Sequence, residues 1–128
     1  MSYKLLLVED EASLRTVYAE YLRSNGFEVL EAEDGEQATT LVANNHDIDL
    51  ILLDILLPKK DGLKVLAEIR ANSEYNKMKI YLATMLNNDK VIKQGFELGA
   101  DGYIIKDTLN PEQLKQEILA AIEGSKKN

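Results

Sequence analysis

Residues 50–54, Leu50-Ile51-Leu52-Leu53-Asp54, form an almost wholly apolar run that ends on a carboxylate, and Ile55-Leu56-Leu57-Pro58 follows it. An apolar run without alternation is typical of a strand that is buried on both faces of a parallel sheet. We therefore expect Asp54 at the carboxyl edge of such a sheet. In open α/β sheets this edge is where ligands bind.

Three further apolar runs end on polar side chains in the same way. Glu9-Asp10 closes the run of residues 5–8, and two later runs close on Thr84 and Lys106. Carboxylate oxygens are the ligands that Mg²⁺ prefers, and a lysine beside them can neutralise charge on a phosphoryl group. Together these side chains predict a Mg²⁺-dependent phosphoryl site in which Asp54 is the acceptor. Without a metal the three carboxylates would repel one another, which raises the pKa of one of them.

Short apolar runs alternate with helical periodicity five times along the chain. The predicted strands are Lys4–Val8, Phe27–Ala32, Leu50–Asp54, Ile80–Thr84 and Gly102–Lys106. Strict strand–helix alternation with apolar central strands implies a parallel sheet with helices on both faces, a doubly wound α/β fold.

The helices are predicted from apolar stripes and end signals. The first carries the stripe Leu14, Val17, Tyr18, Tyr21 and Leu22, and Asn25-Gly26 is a stop signal. The last begins at Asn110-Pro111-Glu112, buries Leu114, Ile118 and Ile122, and ends at Gly124. The middle helices are predicted at Glu36–Asn44, Gly62–Ala71 and Asn88–Leu98, and Gly95 inside the last of these weakens it by about 1 kcal/mol.

Composition narrows the classes of function. The chain has 128 residues, no cysteine and a net charge of −7. The acidity disfavours direct binding of nucleic acid, and the lack of cysteine excludes thiolate chemistry and disulfides. The lack of cysteine fits a reducing cytoplasm, and the apolar stretches are too short to span a bilayer, so we expect a cytoplasmic protein that does not act at a membrane.

Each candidate residue also has a simpler interpretation. Asp10 alone would be read as a helix cap, Asp54 as a loop cap, and Lys106 as a lysine that reaches water from a strand end. Their convergence on one edge favours the site instead. Tyr103 is predicted to face the opposite side of its strand from Lys106 and Ile104.

The motifs together resemble a known family. Glu9-Asp10, Asp54 within residues 53–58, Thr84, and Gly99-Ala100-Asp101-Gly102-Tyr103-Ile104-Ile105-Lys106 resemble the receiver domain of two-component response regulators, of the single-domain chemotaxis type. The resemblance spans roughly residues 3–123. It implies a flavodoxin-like, five-stranded sheet of order 2-1-3-4-5. Residues 1–124 would form the domain, and residues 125–128 a polar tail or a cut point in a longer chain.

The resemblance also implies roles for individual residues. Asp54 would receive a phosphoryl group from a sensor histidine kinase or a histidine phosphotransfer protein. Mg²⁺ would be held by Asp10, Asp54 and the backbone carbonyl of Leu56, with Glu9 acting through water. Thr84 and Lys106 would hold phosphoryl oxygens. Thr84 would then shift together with Tyr103 and remodel the face of the fourth helix, fifth strand and fifth helix, to which an unknown downstream protein binds.

Several positions depart from the family pattern. Leu56, Met85 and Leu86 stand at positions that modulate access to the site, and all three are bulky and apolar. Asp107 follows Lys106 where many members have a cis proline. The arginine-containing dimerisation pattern of one DNA-binding subfamily is missing from residues 112–116, so we expect a monomer.

Other classes of function remain open alternatives. An aspartyl phosphatase would pair its nucleophile with a second acid two residues later, but that position is Leu56. A phosphorylation-independent, receiver-like interaction domain would be expected to lack Asp54, the acidic pair or Lys106. A flavin phosphate would be repelled by residues 9–11. We therefore predict a signalling module that catalyses only its own phosphorylation and dephosphorylation, and not a true enzyme.

Overall fold

The computed structural model describes residues 2–58, 60–84, 89–106 and 109–124. Strands and helices alternate along these residues, as predicted. The strands are β1 (Lys4–Val8), β2 (Glu28–Ala32), β3 (Leu50–Asp54), β4 (Lys79–Thr84) and β5 (Gly102–Ile105). The helices are α1 (Ala12–Ser24), α2 (Gly35–Asn44), α3 (Gly62–Arg70), α4 (Asp89–Glu97) and α5 (Pro111–Gly124).

The strands form one parallel sheet of order β2-β1-β3-β4-β5, which confirms the predicted doubly wound topology. Alternate residues of each strand point to opposite faces. Leu6, Ile51 and Leu82 pack with α2 and α3 on one face. Leu5 and Leu52 pack with α1 and α5 on the other. The fully buried β3, between these layers, carries Asp54 to the carboxyl edge.

Helix ends follow the predicted signals. Asn25 caps the C-terminus of α1, and Gly26 follows with a φ of +92°, a left-handed conformation that favours glycine. At the start of α5, Asn110 Oδ1 accepts from the Gln113 amide at 2.8 Å, and Gln113 Oε1 accepts from the Asn110 amide at 2.9 Å. This reciprocal pair is a capping box.

Several predicted boundaries are off by one residue. β2 begins at Glu28, not Phe27; β4 begins at Lys79; and β5 ends at Ile105, so Lys106 lies just beyond the strand. Helix α2 begins at Gly35 and α3 ends at Arg70. Met85, Leu86, the predicted helix start at Asn88, the Lys106–Asp107 bond and residues 125–128 lie outside the described residues.

The predicted stripe of α1 is wrong at Val17, which is 52% exposed. The buried side of α1 consists of Tyr18, Ala19 and Leu22. These residues pack against the strands and α5, whereas Val17 is not part of this cluster of the described residues. Helical periodicity predicts an apolar stripe but not which flank of it a neighbouring helix covers.

Gly95 has a packing role that its helix propensity does not show. A Cβ atom at this position would collide with Leu82 Cδ1 in β4, and Leu63 of α3 lies nearby. The absence of a side chain therefore lets α4 approach the sheet closely.

In the part of the chain that the structure describes, no helix has both the length and the apolar character needed to cross a bilayer.

Candidate phosphoryl and metal site

Three carboxylates meet at the carboxyl edge of the sheet. One oxygen each from Glu9, Asp10 and Asp54 lie within 4.8 Å of one another. Glu9 and Asp54 are buried and Asp10 is exposed. Because β1 and β3 are adjacent parallel strands, the residues that end or follow them come together, as the sequence predicted.

Lys106 is the cation of this cluster. Its Nζ lies 3.0 Å from Asp54 Oδ2 and also forms an ion pair with Glu9 Oε1. The side chain is only 9% exposed and forms both ion pairs, so the interpretation that Lys106 merely reaches water from the strand end is wrong. The other carboxylate oxygens accept backbone donors: Asp54 Oδ1 from the Leu56 amide at 3.2 Å and Glu9 Oε2 from the Glu11 amide at 3.0 Å.

The pKa values follow from this burial. Burial raises the pKa of the Glu9 carboxyl, and the charge of Asp54 adds to the increase, against the hydrogen bonds from Lys106 and the Glu11 amide. The raised pKa was predicted from repulsion, but burial is its largest cause. Burial alone lowers the pKa of Lys106, yet the hydrogen bonds to Glu9 and Asp54 outweigh it, so that this pKa lies above its ordinary value.

Asp10 does not cap α1. The residue at that position is Glu11, whose side chain makes no capping hydrogen bond. No hydrogen bond from the described residues holds the Asp10 carboxylate, and its oxygen faces those of Glu9 and Asp54. The interpretation of Asp10 as a simple helix cap is therefore wrong.

Thr84 ends β4 and Leu56 follows β3, so both lie at the same edge of the sheet as Asp54. Asp54 pairs with Ala83 across β3 and β4, so Thr84, which is buried, lies one residue further along the same edge. Leu56 follows β3 and its side chain is 66% exposed. Its backbone is turned toward Asp54, as the hydrogen bond from its amide shows.

Tyr103 lies away from the acidic cluster. Its ring contacts Phe96 of α4 edge to face, with centroids 6.2 Å apart, and the two rings are 41% and 46% exposed. Ile104, the next residue, is buried on the α1 and α5 face of the sheet. Tyr103 therefore faces the opposite side from Ile104, as predicted, and forms an exposed aromatic pair beside α4.

Sequence reasoning missed Arg15. This residue lies in the first turn of α1, and its Nη1 donates to the backbone carbonyl of Glu9 at 2.7 Å. A basic residue in the first turn of a helix is unfavourable against the helix dipole. An arginine at this unfavourable position, six residues after Glu9, was the signal that could have identified Arg15 from the sequence.

The cluster can hold a metal ion. Its donors are carboxylate oxygens, which suit hard divalent cations such as Mg²⁺, and one of them is exposed, which leaves an approach from solvent. A buried carboxylate paired with a lysine can also act as a nucleophile whose charge the lysine balances.

Comparisons with known proteins agree with the fold and show the family. The sequence model described as "Response regulator receiver domain" matches residues 5–119. The transcriptional regulatory protein CpxR of Klebsiella pneumoniae is 37% identical over 122 residues, which are 95% of this chain and 50% of that protein. A probable transcriptional regulator, ycf27 of Porphyridium aerugineum, is 35% identical over 93% of this chain and 48% of its own length. The chain spans about half the length of these relatives.

A solved structure extends the comparison. The chemotaxis response regulator CheY4 of Vibrio cholerae superposes with a TM-score of 0.87 at 27% identity, covering 94% of this chain and 99% of that one. With its strand order, its edge cluster and the family match over most of its length, this chain belongs to the response regulator receiver domain family.

Proposed function

We propose that this chain is the receiver module of a two-component phosphorelay in which Asp54 accepts the phosphoryl group. One observation carries the proposal. The buried carboxylate of Asp54 shares the Lys106 ammonium with Glu9, and Asp10 is the third acid of this cluster at the carboxyl edge of the sheet. The donor is a phosphohistidine of a sensor histidine kinase or a histidine phosphotransfer protein. The module is cytoplasmic and comprises residues 1–124, followed by a polar tail at 125–128.

The transfer is a displacement at phosphorus. A carboxylate oxygen of Asp54 forms a bond to the phosphorus while the bond to the histidine nitrogen breaks. The electron pair leaves with the imidazole, which then takes a proton from solvent. The products are an aspartyl phosphate and a neutral histidine.

The residues around Asp54 stabilise the charge that develops. Lys106 already contacts Asp54 Oδ2, so it is placed to hold a phosphoryl oxygen attached there. Thr84 supplies a hydroxyl donor from the same edge. Asp10, Asp54 and the Leu56 carbonyl would bind Mg²⁺ directly, and Glu9 through water. When bound, the ion neutralises charge on the phosphoryl oxygens.

The output is a changed protein-binding surface. Tyr103 and Phe96 form an exposed aromatic pair between β5 and α4, and exposed aromatic rings are frequent anchors of protein interfaces. Thr84 and Tyr103 shift together on phosphorylation and remodel the face made by α4, β5 and α5. A downstream protein then binds this face. One structural neighbour, 26% identical with a TM-score of 0.82, is described as a CheX–CheY–BeF3–Mg complex from Borrelia burgdorferi.

The experiment is intact-mass measurement after incubation with acetyl phosphate and Mg²⁺. We expect the wild type to gain one phosphoryl group and Asp54→Asn to gain none. Asp61→Asn is the matched control, because it also removes a carboxylate from the segment that follows Asp54, while asparagine can still cap α3 as Asp61 does. This control should be labelled like the wild type.

Two outcomes would overturn the proposal. If the wild type is never labelled, the alternative of a phosphorylation-independent interaction domain takes its place. If Asp54→Asn is labelled at another residue, the assignment of the acceptor is wrong.

A further inference from the structure

The Arg15 guanidinium connects the acidic site with β2, the outermost strand of the sheet next to β1. It is anchored on α1, where the Arg15 amide donates to the Glu11 carbonyl at 2.9 Å. Its Nη1 donates to the Glu9 carbonyl at 2.7 Å, and its Nε donates to Glu31 Oε1 at 3.3 Å. The side chain is only 14% exposed, so these bonds are largely shielded from water.

The Glu9 carbonyl belongs to the peptide unit that leads into Asp10. This unit is planar, so fixing its oxygen also fixes the direction in which the Asp10 Cα leaves it. Glu9 is otherwise held by its amide, which donates to Ala32 at 3.0 Å, and by its own side chain. Asp10 has no side-chain hydrogen bond from the described residues. Its placement therefore depends on the backbone that Arg15 holds.

The positive charge of Arg15 is balanced by carboxylates that do not belong to the acidic cluster. Glu31 on β2 and Glu33 after it both face the guanidinium, at 3.3 and 3.9 Å. Glu31 also pairs with Arg23, whose Nη1 lies 2.9 Å away. The two arginines share one carboxylate, but Arg23 donates to the carbonyl of Val29, and among the described residues no hydrogen bond joins it to residues 9–11.

We propose that Arg15 is a positioning residue for residues 9–11, the loop between β1 and α1 that carries Glu9 and Asp10. It orients the Glu9–Asp10 peptide so that the Asp10 carboxylate faces those of Glu9 and Asp54. The inference rests on the proposed function, since it assigns Arg15 a part in Mg²⁺ binding by the same site.

Electrostatics and positioning predict opposite effects when Arg15 is removed. A cation near a Mg²⁺ site repels the ion, so loss of its charge alone strengthens Mg²⁺ binding. Loss of the hydrogen bond loosens the loop and weakens binding. If Arg15 only stabilised the fold in general, a third result would follow. Any two variants that lower the free energy of unfolding by the same amount would then lose the same Mg²⁺ affinity.

The test is isothermal titration calorimetry of the unphosphorylated protein with MgCl₂, with urea unfolding measured in parallel. We expect Arg15→Ala to raise the Mg²⁺ dissociation constant by roughly fivefold, the effect of about one lost hydrogen bond. Arg15→Lys retains one donor for the Glu9 carbonyl and should restore most of the affinity. Arg23→Ala removes the other arginine that pairs with Glu31, and this variant should bind Mg²⁺ like the wild type.

Each result decides between the interpretations. Unchanged or tighter Mg²⁺ binding in Arg15→Ala overturns the inference, as does an equal loss of affinity in Arg23→Ala. Should Arg15→Ala not fold, Arg15→Met replaces it, because it keeps a long aliphatic stem without donors. A wild type that binds no Mg²⁺ contradicts the proposed metal site itself, whereas normal binding by the wild type and Arg15→Ala contradicts only the role of Arg15.

Discussion

Lys106 Nζ lies 3.0 Å from Asp54 Oδ2 while it is also paired with Glu9, so a single ammonium group serves two buried carboxylates. The third acid of the cluster, Asp10, receives no cation from the described residues. The metal-free site therefore holds more negative than positive charge in a partly buried space. Such an arrangement stores repulsion that a divalent cation relieves.

Mg²⁺ should accordingly stabilise the unphosphorylated protein. At about 100 times its dissociation constant, a ligand of the native state adds roughly 2.7 kcal/mol to the free energy of unfolding. Thermal unfolding followed by circular dichroism should shift upward as MgCl₂ is added. NaCl at matched ionic strength is the control, and Asp10→Asn should respond much less than the wild type. A melting temperature that ignores millimolar Mg²⁺ would contradict this prediction.

Phosphorylation should act mainly on α4 and β5. The exposed pair of Phe96 and Tyr103 joins these elements at a surface that can repack. With a beryllofluoride adduct on Asp54, backbone amide shifts should be larger in α4 and β5 than in α2. Asp54→Asn with the same reagents should show none of these changes. Equal perturbation of α2 and α4 would show that the output face lies elsewhere.

Gly95 should be intolerant of even one methyl group. Gly95→Ala places a Cβ atom against Leu82 Cδ1, and overpacking of this kind costs about 1–3 kcal/mol, although alanine is the better helix former. Gly124→Ala is the matched control, because this position is also helical but no atom of the described residues lies within 4 Å of its added Cβ. Urea unfolding should show Gly95→Ala destabilised and Gly124→Ala unchanged or slightly stabilised. The packing argument is wrong if both variants gain stability.

A pH-dependent contact joins α1 and α5 through Glu112. The hydrogen bond from Tyr21, with further ones from Gln116 and Lys115, lowers the pKa of Glu112 to about 2. Because the pKa is lower in the folded state, the ionised carboxylate stabilises the fold above the ordinary value near 4.5. This contribution is lost as the pH falls toward 2. The stability difference between wild type and Glu112→Gln should therefore be constant above pH 5 and shrink below it. A difference that does not change between pH 5 and pH 2.5 would exclude this linkage.

The position of the acidic cluster was predictable, because neighbouring parallel strands place their carboxyl ends at the same edge of the sheet. Apolar runs identified β1 and β3, and their carboxyl ends placed Glu9, Asp10 and Asp54 together. Sequence patterns could not show the exposure of Val17, because periodicity says nothing of which neighbour covers a helix. From the sequence, only the low helix propensity of Gly95 could be predicted. Its close contact with Leu82 exists only in the folded chain.

The support of the site was also beyond sequence reasoning. Arg15 binds a backbone carbonyl, and every residue carries one, so no residue pattern marks the acceptor. The sharing of Lys106 between Glu9 and Asp54 depends on side-chain rotamers at the end of three different strands. Patterns identified the groups that meet, whereas the hydrogen bonds between them followed only from the packed structure.

The aspartyl phosphate of this chain should be long-lived. Hydrolysis requires a water molecule that is oriented in line with the phosphorus, and polar side chains at the site entrance can orient one. Leu56, beside Asp54, offers only an apolar side chain, 66% exposed, and Met85 and Leu86, outside the described residues, are apolar as well. Replacing Leu56 with Asn and Leu86 with Glu should speed the loss of phosphate about tenfold, if the barrier falls by roughly 1.4 kcal/mol. Intact-mass measurement after removal of the phosphodonor follows the decay, with Leu56→Met as a control that preserves the apolar character. Loss from the wild type within seconds, or an unchanged rate in the double variant, would show that these side chains do not control access of water to the phosphorus.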